Sequence, residues 1–350
     1  MTDERAGARD CSVIVSTEPP DWSDYLAASA EATIYHDPRW GQIMASAYGN
    51  RPHFLTARRG GRVVGILQLV AQKGLPFGLH LCSLPYFDAA GVVADDEGAR
   101  RALLGETRAL MERLGAEWVE LRHVSWCDPA LPGRTDKVTM WLELPSSAEG
   151  AWNSLTTKMR TKVRKAQKAA VTLEQGRGEL AGDFYAIYAR TMRDLGSPPH
   201  GQRFFRLVCD TFGPAVRLFV VRSEGQPIAS ALALMDRQGF HVPWSGSDHR
   251  AAGGSANRFL FWSMIAYASD AGAARFDFGR STWGSGTHEF KKEWGAEEVP
   301  LCWEYLLPSG GTVPDQRPDS PKYRLLSAMW RHLPVGITRL IGPRIIARLS

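Results

Sequence analysis

Cysteine is scarce and shows no pairing pattern. Cys11, Cys82, Cys127, Cys209 and Cys302 are odd in number, far apart and without a CxxC pair. Such usage argues against a disulfide framework or a zinc site and for a reducing compartment. Long apolar runs are absent as well. No uninterrupted stretch approaches the ~20 residues needed to span a bilayer, and residues 1–10 are polar and charged, without the apolar centre of a signal peptide. There is no GxSxG elbow, no HExxH and no Walker loop, so hydrolase, zinc-protease and NTPase readings lose support. Charge of one sign is only mildly in excess. The formal net charge of +5 fits an anionic partner such as a phosphate-bearing substrate, RNA or a lipid surface, and equally fits an ordinary soluble protein. Together these absences lead us to expect a cytoplasmic protein with no bound metal.

What is present is apolar material, and a repeat. The 350 residues are 44% hydrophobic and 23% charged, enough for two cores. Phe54–Gln72 (FLTARRGGRVVGILQLVAQ) and Leu218–Arg237 (LFVVRSEGQPIASALALMDR) each read as a strand, a glycine-bearing turn and a second strand. A short helix pattern stopped by glycine precedes each, Asp37–Gly49 and Gly201–Gly213. A turn, a helix and a strand follow each. These are Glu97–Leu114 with Gly115 and then WVELR (Trp118–Arg122), and Ala256–Ala271 with Gly272 and then RFDFG (Arg275–Gly279). The same element order recurs at an offset of roughly 160 residues, which implies two related α/β domains. We place an N-terminal segment at 1–29, the domains at 30–149 and 150–307, and a linker and tail at 308–350.

That element order resembles the GNAT fold, in which a mixed sheet splits and the donor's pyrophosphate sits on the N-terminus of the following helix. Unpaired N–H groups and the positive dipole end make such a terminus suitable for an anion. The second copy has RAAGGSA at this point (Arg250–Ala256), so Arg250, Gly253, Gly254 and Ser255 are candidates to hold coenzyme A, with Ser255 departing from the usual Gly or Ala. The first copy has VADDEGA (Val93–Ala99), where Asp95, Asp96 and Glu97 would repel a pyrophosphate.

Two segments carry a closer resemblance. LTTKMRTKVRKAQKAAV (Leu155–Val171) sets Leu155, Met159, Val163, Ala166 and Ala170 in one apolar stripe, with Lys158, Arg160, Lys162, Arg164, Lys165 and Lys168 on the other faces. DFGRSTWGSGTHEFKKEWG (Asp277–Gly295) starts at the last repeated strand and ends in Phe-Lys-Lys. Together they resemble the FemAB family of aminoacyltransferases and its BioF2-like acetyltransferase relatives, and within these the branch associated with exosortase and PEP-CTERM sorting. The resemblance implies an α/β fold of mixed sheets, with two tandem GNAT-like domains, a cleft between them and a basic amphipathic C-terminal tail. It implies an acyltransferase acting in cell-envelope assembly. The group transferred is aminoacyl or acyl, and the acceptor is an amine on a peptidoglycan peptide or an exopolysaccharide-associated precursor. No cofactor is tightly bound, and the donor is aminoacyl-tRNA or acyl-coenzyme A. Residues 172–200 leave no room for the long coiled-coil arm of the bridge-forming enzymes. Two other readings stay open: an acyl-coenzyme A-dependent N-acetyltransferase, and a non-catalytic scaffold in polysaccharide export.

Amine acylation needs a proton acceptor, stabilisation of the carbonyl oxygen and alignment of the reactants. By the resemblance, Lys291 after Phe290 stabilises negative charge near the transferred group; a lysine snorkelling on an aromatic surface is the competing reading. Arg280 suits a carboxylate or phosphate, or an internal ion pair with Asp277 or Glu289. Asp248, His249 and His288 are candidates to accept the amine proton. Substrate contacts are assigned to Ser281, Trp283, Trp244 and Phe290, to Tyr86 and Asp88 in the PYFDAAG turn, and to Lys158, Arg160 and Arg164, the last three facing tRNA or another phosphate-bearing ligand. Residues 322–350 alternate apolar side chains, cations and Trp330 and have no acidic residue, as a peripheral contact on the inner face of the cytoplasmic membrane would require.

Overall fold

A computed structural model describes residues 11–74, 78–124, 127–248, 255–314 and 321–349. The chain divides into two compact units, Met1–Lys137 with Pro300–Asp315 and Ala347–Ser350, and Val138–Val299 with Gln316–Ile346. The first runs through β1 (Cys11–Ser16), α1 (Ser23–Ala28), α2 (Arg39–Tyr48), β2 (Arg51–Arg59), β3 (Arg62–Gly74), β4 (Gly78–Cys82), β5 (Val93–Ala94), α3 (Glu97–Leu114), β6 (Val119–Val124) and β7 (Gly133–Arg134). The second continues with β8 (Lys137–Glu143), α4 (Ala148–Ser154), α5 (Thr157–Gln167), β9 (Val171–Gly176), α6 (Ala181–Leu195), α7 (Gln202–Phe212), β10 (Val216–Ser223), β11 (Gln226–Met235), β12 (Phe240–Ser247), α8 (Ala256–Asp270), β13 (Arg275–Thr282) and α9 (Gly286–Lys292). β14 (Glu297–Leu306), α10 (Pro321–Arg331) and α11 (Val335–Ile346) complete the chain. The N-terminal segment is part of the first sheet, since β1 pairs antiparallel with β2 from Cys11–Arg59 to Ser16–Phe54.

The first sheet has the order β1-β2-β3-β4-β6-β14, with β5 on β3 and β7 on β14; the second has β8-β13-β12-β11-β10-β9. The repeat read from the sequence is present strand for strand. Each hairpin, β2-β3 and β10-β11, shifts register just before an arginine, at Ala57/Arg58 and at Val221/Arg222. In each unit the strand after the hairpin runs parallel for two pairs to the strand after the following helix, β4 to β6 at Leu81–Val119 and Cys82–Glu120, and β12 to β13 at Phe240–Phe276 and His241–Asp277.

Helical periodicity sets the packing. On α3, Ala99, Leu103, Leu110 and Met111 recur at helical spacing and pack with Leu55, Leu67, Leu69 and Leu121. Asp96 caps its start and Gly115, in the left-handed conformation, ends it. α8 instead carries buried apolar residues around most of its circumference, Leu260, Phe261, Trp262, Met264 and Ile265 among them, because α4 and α5 contact it as well as the sheet. Each large apolar side chain so buried contributes about 1.5–3 kcal/mol. The α5 stripe is inward at Leu155, Met159, Val163 and Ala166, but Ala170 is exposed, since the helix ends at Gln167.

Two expectations need correction. Cys127 and Cys302 form a disulfide across 175 residues of sequence. β14 returns the chain to the first unit and pairs Cys302 with His123 of β6, which brings the sulfurs together, and neither cysteine's local sequence announces it. The second correction concerns the tail. Trp330, grouped above with the apolar side chains of an amphipathic tail, turns inward while Leu325, Leu326 and Met329 stay exposed.

Candidate functional site

In the second unit, β12 and β13 pair only at Phe240–Phe276 and His241–Asp277, and no further rung is formed among the described residues. A buried polar set fixes the point where they part. His241 Nδ1 and Nε2 lie 3.3 and 3.1 Å from Asp277 Oδ2 and Asp236 Oδ1, and Asp277 Oδ1 accepts from Thr139 Oγ1 at 2.8 Å and from Gly279 N at 2.8 Å. Burial opposes a charge on His241, but the hydrogen bonds to the two aspartates outweigh it and push the imidazole up to about 9. Asp277 is correspondingly held below the usual carboxylate range: burial opposes its charge, and the bonds from His241, Gly279 and Thr139 outweigh that. Sequence reading missed this triad. Its only trace is a histidine at the second position of a strand, between Phe240 and Val242.

Beyond Asp277 the chain turns through Gly279 at φ +72, where a side chain would be strained and would press on the Val242 carbonyl at 3.3 Å. Lys291, on α9, reaches back and donates from Nζ to the carbonyls of Gly279 at 2.8 Å and Arg280 at 2.9 Å. It is only 8% exposed. The snorkelling reading of Lys291 therefore fails: its ammonium is inside, fixed at the end of β13. A buried cation acts there with little solvent screening. Ser281 is two residues on from Gly279 and buried, and its Oγ has no hydrogen-bond partner among the described residues. Such a hydroxyl costs about 1–3 kcal/mol unless a ligand satisfies it.

Serine capping forms α9: Ser285 Oγ accepts from His288 N. His288 is buried, accepts from Gly284 N at Nδ1 and meets Glu298 at 2.8 Å through Nε2, so both ring nitrogens are engaged. Trp283 is exposed and meets the His288 ring edge-on at 5.4 Å. Arg280 is exposed at the strand end. Phe290 is partly buried at the core fringe, edge-on to Phe261 at 5.2 Å.

Glu293 gathers three segments. It accepts from Lys162 of α5 at 2.6 Å and from Arg258, in the first turn of α8, at 2.9 Å, and lies one residue past α9. The basic helix thus stands beside the start of α8, and Glu293 is held below its usual range chiefly by the Lys162 bond. On α5, Arg164 lies over the Trp152 ring at 5.2 Å, while Lys158 and Lys168 are exposed. α8 starts at Ser255, whose side chain caps nothing, and has no acidic residue in its first turn. In the first unit, α3 starts with Asp96 accepting from Ala99 N and with Glu97 beside it, so its own carboxylates fill the place an anion would take. Arg250, Gly253 and Gly254 lie outside the described residues, as does His249.

Other assigned residues are placed elsewhere. Trp244 is buried among Phe204, Phe205 and His200, edge-on to each at 5.2–6.1 Å, so it is core and not a substrate platform. An aromatic on a strand reads the same in either role. Asp248 follows β12 and is ion-paired through Oδ2 to Arg190 at 3.0 Å. Tyr86 and Asp88 belong to the first unit. Tyr86 has φ +74, accepts from Gln72 Nε2 at 3.3 Å, and has its hydroxyl's acidity suppressed by burial. That turn is held by Arg122, 1% exposed, whose Nε donates to Glu120 Oε1 at 2.6 Å and whose Nη1 donates to Phe87 O at 2.7 Å. Arg122 also stacks on Trp303 at 4.2 Å, and Glu120 accepts from the Tyr305 hydroxyl at 3.1 Å.

Comparison with known proteins agrees with this fold. Residues 154–292 match the family described as Acetyltransferase (GNAT) domain. No protein of curated function matches the sequence. Among solved structures, FemX superposes with a TM-score of 0.63 at 14% identity, covering 90% of this chain and all of that one. A tandem GNAT protein from the clavulanic acid biosynthesis pathway gives 0.54 at 13%, covering 87% and 100%, and L-PGS from Bacillus licheniformis 0.55 at 14%, covering 93% and 98%. The fold is thus that of tandem GNAT-like proteins. With an acetyltransferase (GNAT) domain over residues 154–292, the chain is an acyltransferase.

Proposed function

We propose that the second unit transfers an aminoacyl or acyl group from an activated donor to an amine on a cell-envelope precursor. The observation that carries this reading is the end of β13, where a buried ammonium, a glycine backbone and an unpartnered serine hydroxyl lie within three residues of strand. The donor's acyl group would lie along the parting of β12 and β13. Lys291 would hold the strand end rigid and supply positive potential as the carbonyl oxygen gains charge, and Ser281 Oγ would donate to the acyl or acceptor group. The amine attacks the acyl carbon, the donor's thiolate or alkoxide leaves, and the amine's proton passes to solvent or to the leaving group. The resemblance of the Asp277–Gly295 segment to FemAB proteins of the exosortase-associated branch, and the likeness to FemX, support a cell-envelope acceptor.

Two donors are compatible with the site, each through its own feature. The acid-free start of α8 and the GNAT domain favour acyl-coenzyme A. The cations of α5 beside it favour the longer phosphate backbone of aminoacyl-tRNA. Thermal-shift titration with acyl-coenzyme A, aminoacyl-tRNA and nucleotide-linked muropeptides, followed by single-turnover transfer from whichever donor binds, separates them. Stabilisation by none of the donors, with no transfer to any amine, refutes the proposal.

A further inference from the structure

The tail supplies a surface that the acyl-transfer reading does not use. α10 and α11 both pack on α6. Trp330, Thr338 and Gly342 face inward, Arg193 Nη1 donates to Leu333 O at 3.2 Å, and the Arg339 guanidinium lies over the Tyr185 ring at 5.0 Å. The helices are therefore fixed to the second unit, yet their outer faces are apolar. Leu325, Leu326, Met329, Ile337, Leu340 and Ile345 are 37–68% exposed and make up six of the nine exposed large apolar side chains among the described residues. A concentration of this kind marks an interaction surface.

Charge identifies the occupant. Arg324, Arg331, Arg339 and Arg344 are exposed on the same two helices, and no aspartate or glutamate occurs after Asp319. A second copy of this chain seated face to face would bring cations against cations with no acidic residue of the tail to pair them. A nucleic-acid backbone would leave the leucines without a partner. Helices of 11 and 12 residues, with Pro343 inside the second, are too short to cross a bilayer but suit its interface.

We infer that α10 and α11 form a docking face for an anionic phospholipid surface, with the six apolar side chains at the acyl-chain boundary and the arginines at the phosphates. The test is co-sedimentation of the full chain with vesicles of phosphatidylcholine alone or mixed with phosphatidylglycerol. Binding should require phosphatidylglycerol and weaken with salt, with each arginine contributing roughly fivefold to partitioning. Leu325→Ser/Leu326→Ser/Leu340→Ser, on exposed positions, should keep the melting temperature and lose at least about tenfold in partitioning. Arg324→Glu/Arg344→Glu should abolish the preference for anionic vesicles. Failure of the wild type to bind phosphatidylglycerol vesicles at low salt overturns the inference, as does equal binding by all three proteins. A wild-type dimer in sedimentation equilibrium that the triple-serine variant makes monomeric would assign the face to a second copy instead. Acyl transfer to a soluble amine is measured separately and stands or falls independently.

Discussion

The two units share an element order and differ at one decisive strand position. Their parallel strands align at Cys82–Glu120 and His241–Asp277. Two residues further along the last strand, the first unit has Arg122 and the second has Gly279. In the first, the guanidinium fills the place where β4 and β6 part, fastened to Glu120 and to the carbonyl of Phe87. In the second there is no side chain at all, and a lysine from α9, which has no counterpart among the described residues of the first unit, secures the backbone instead. The helices beyond differ in the same sense, with carboxylates at the start of α3 and none in the first turn of α8. One duplicated framework thus carries a buried arginine at this position in one unit and a bare glycine backbone in the other, with the sheet order intact.

The strongest way to break this comparison is to remove that arginine. Arg122→Ala leaves the Glu120 carboxylate buried without its main partner, and should destabilise the first unit by about 3–5 kcal/mol in urea unfolding. Arg122→Met, which fills the space without charge, should cost nearly as much. A loss under about 1 kcal/mol in both would mean that Arg122 does not hold the strands.

The counterpart in the second unit is pH-dependent. His241 titrates higher when folded, at about 9, than when unfolded, near 6.5. Its contribution is fully present below pH 6.5 and is lost as pH rises through about 9, an effect on the order of 3 kcal/mol. Melting temperature should therefore fall between pH 6.5 and 9.5 in the wild type, and His241→Gln should flatten that slope. An unchanged slope in the variant would remove His241 from the account.

Lys291→Ala should lower turnover at least about tenfold, the equivalent of about 1.4 kcal/mol of transition-state stabilisation, with the fold retained by circular dichroism. Lys291→Arg should restore part of the activity only if charge at the end of β13 is what matters. Unchanged kcat in the alanine variant would reduce Lys291 to a strand anchor. The smallest effect is expected on α5. Replacing Lys158, Arg160 and Arg164 together should weaken binding of a phosphate-bearing donor and flatten its salt dependence, since each phosphate contact contributes to the salt slope. Identical affinity and slope would leave those cations merely solvated.

Local sequence carried much of this. Glycine stops and apolar periodicity made the repeat legible, and the Phe290-Lys291 motif pointed to the lysine that proves to be buried at the strand end. Non-local pairing was what local pattern could not show. Glu120 and Arg122 stand two apart on a strand, and nothing local shows that β14 and the 84–87 turn bury both. Cys127 and Cys302 look unrelated until the same strand returns. Trp244 read as a ligand platform because a strand aromatic has no mark that distinguishes a core face from a binding face.

The return of β14 has a consequence for synthesis. A chain emerging from the ribosome usually completes its leading domain first. Here β6 has no β14 to pair with until about residue 306 has emerged, by which point all of β8 to α9 is already outside. The trailing unit can close while the leading one still presents an open strand edge. Chains broken off before Pro300 would carry that edge permanently, and edges of this kind recruit other chains. Premature termination should therefore yield aggregates rather than a free-standing first unit.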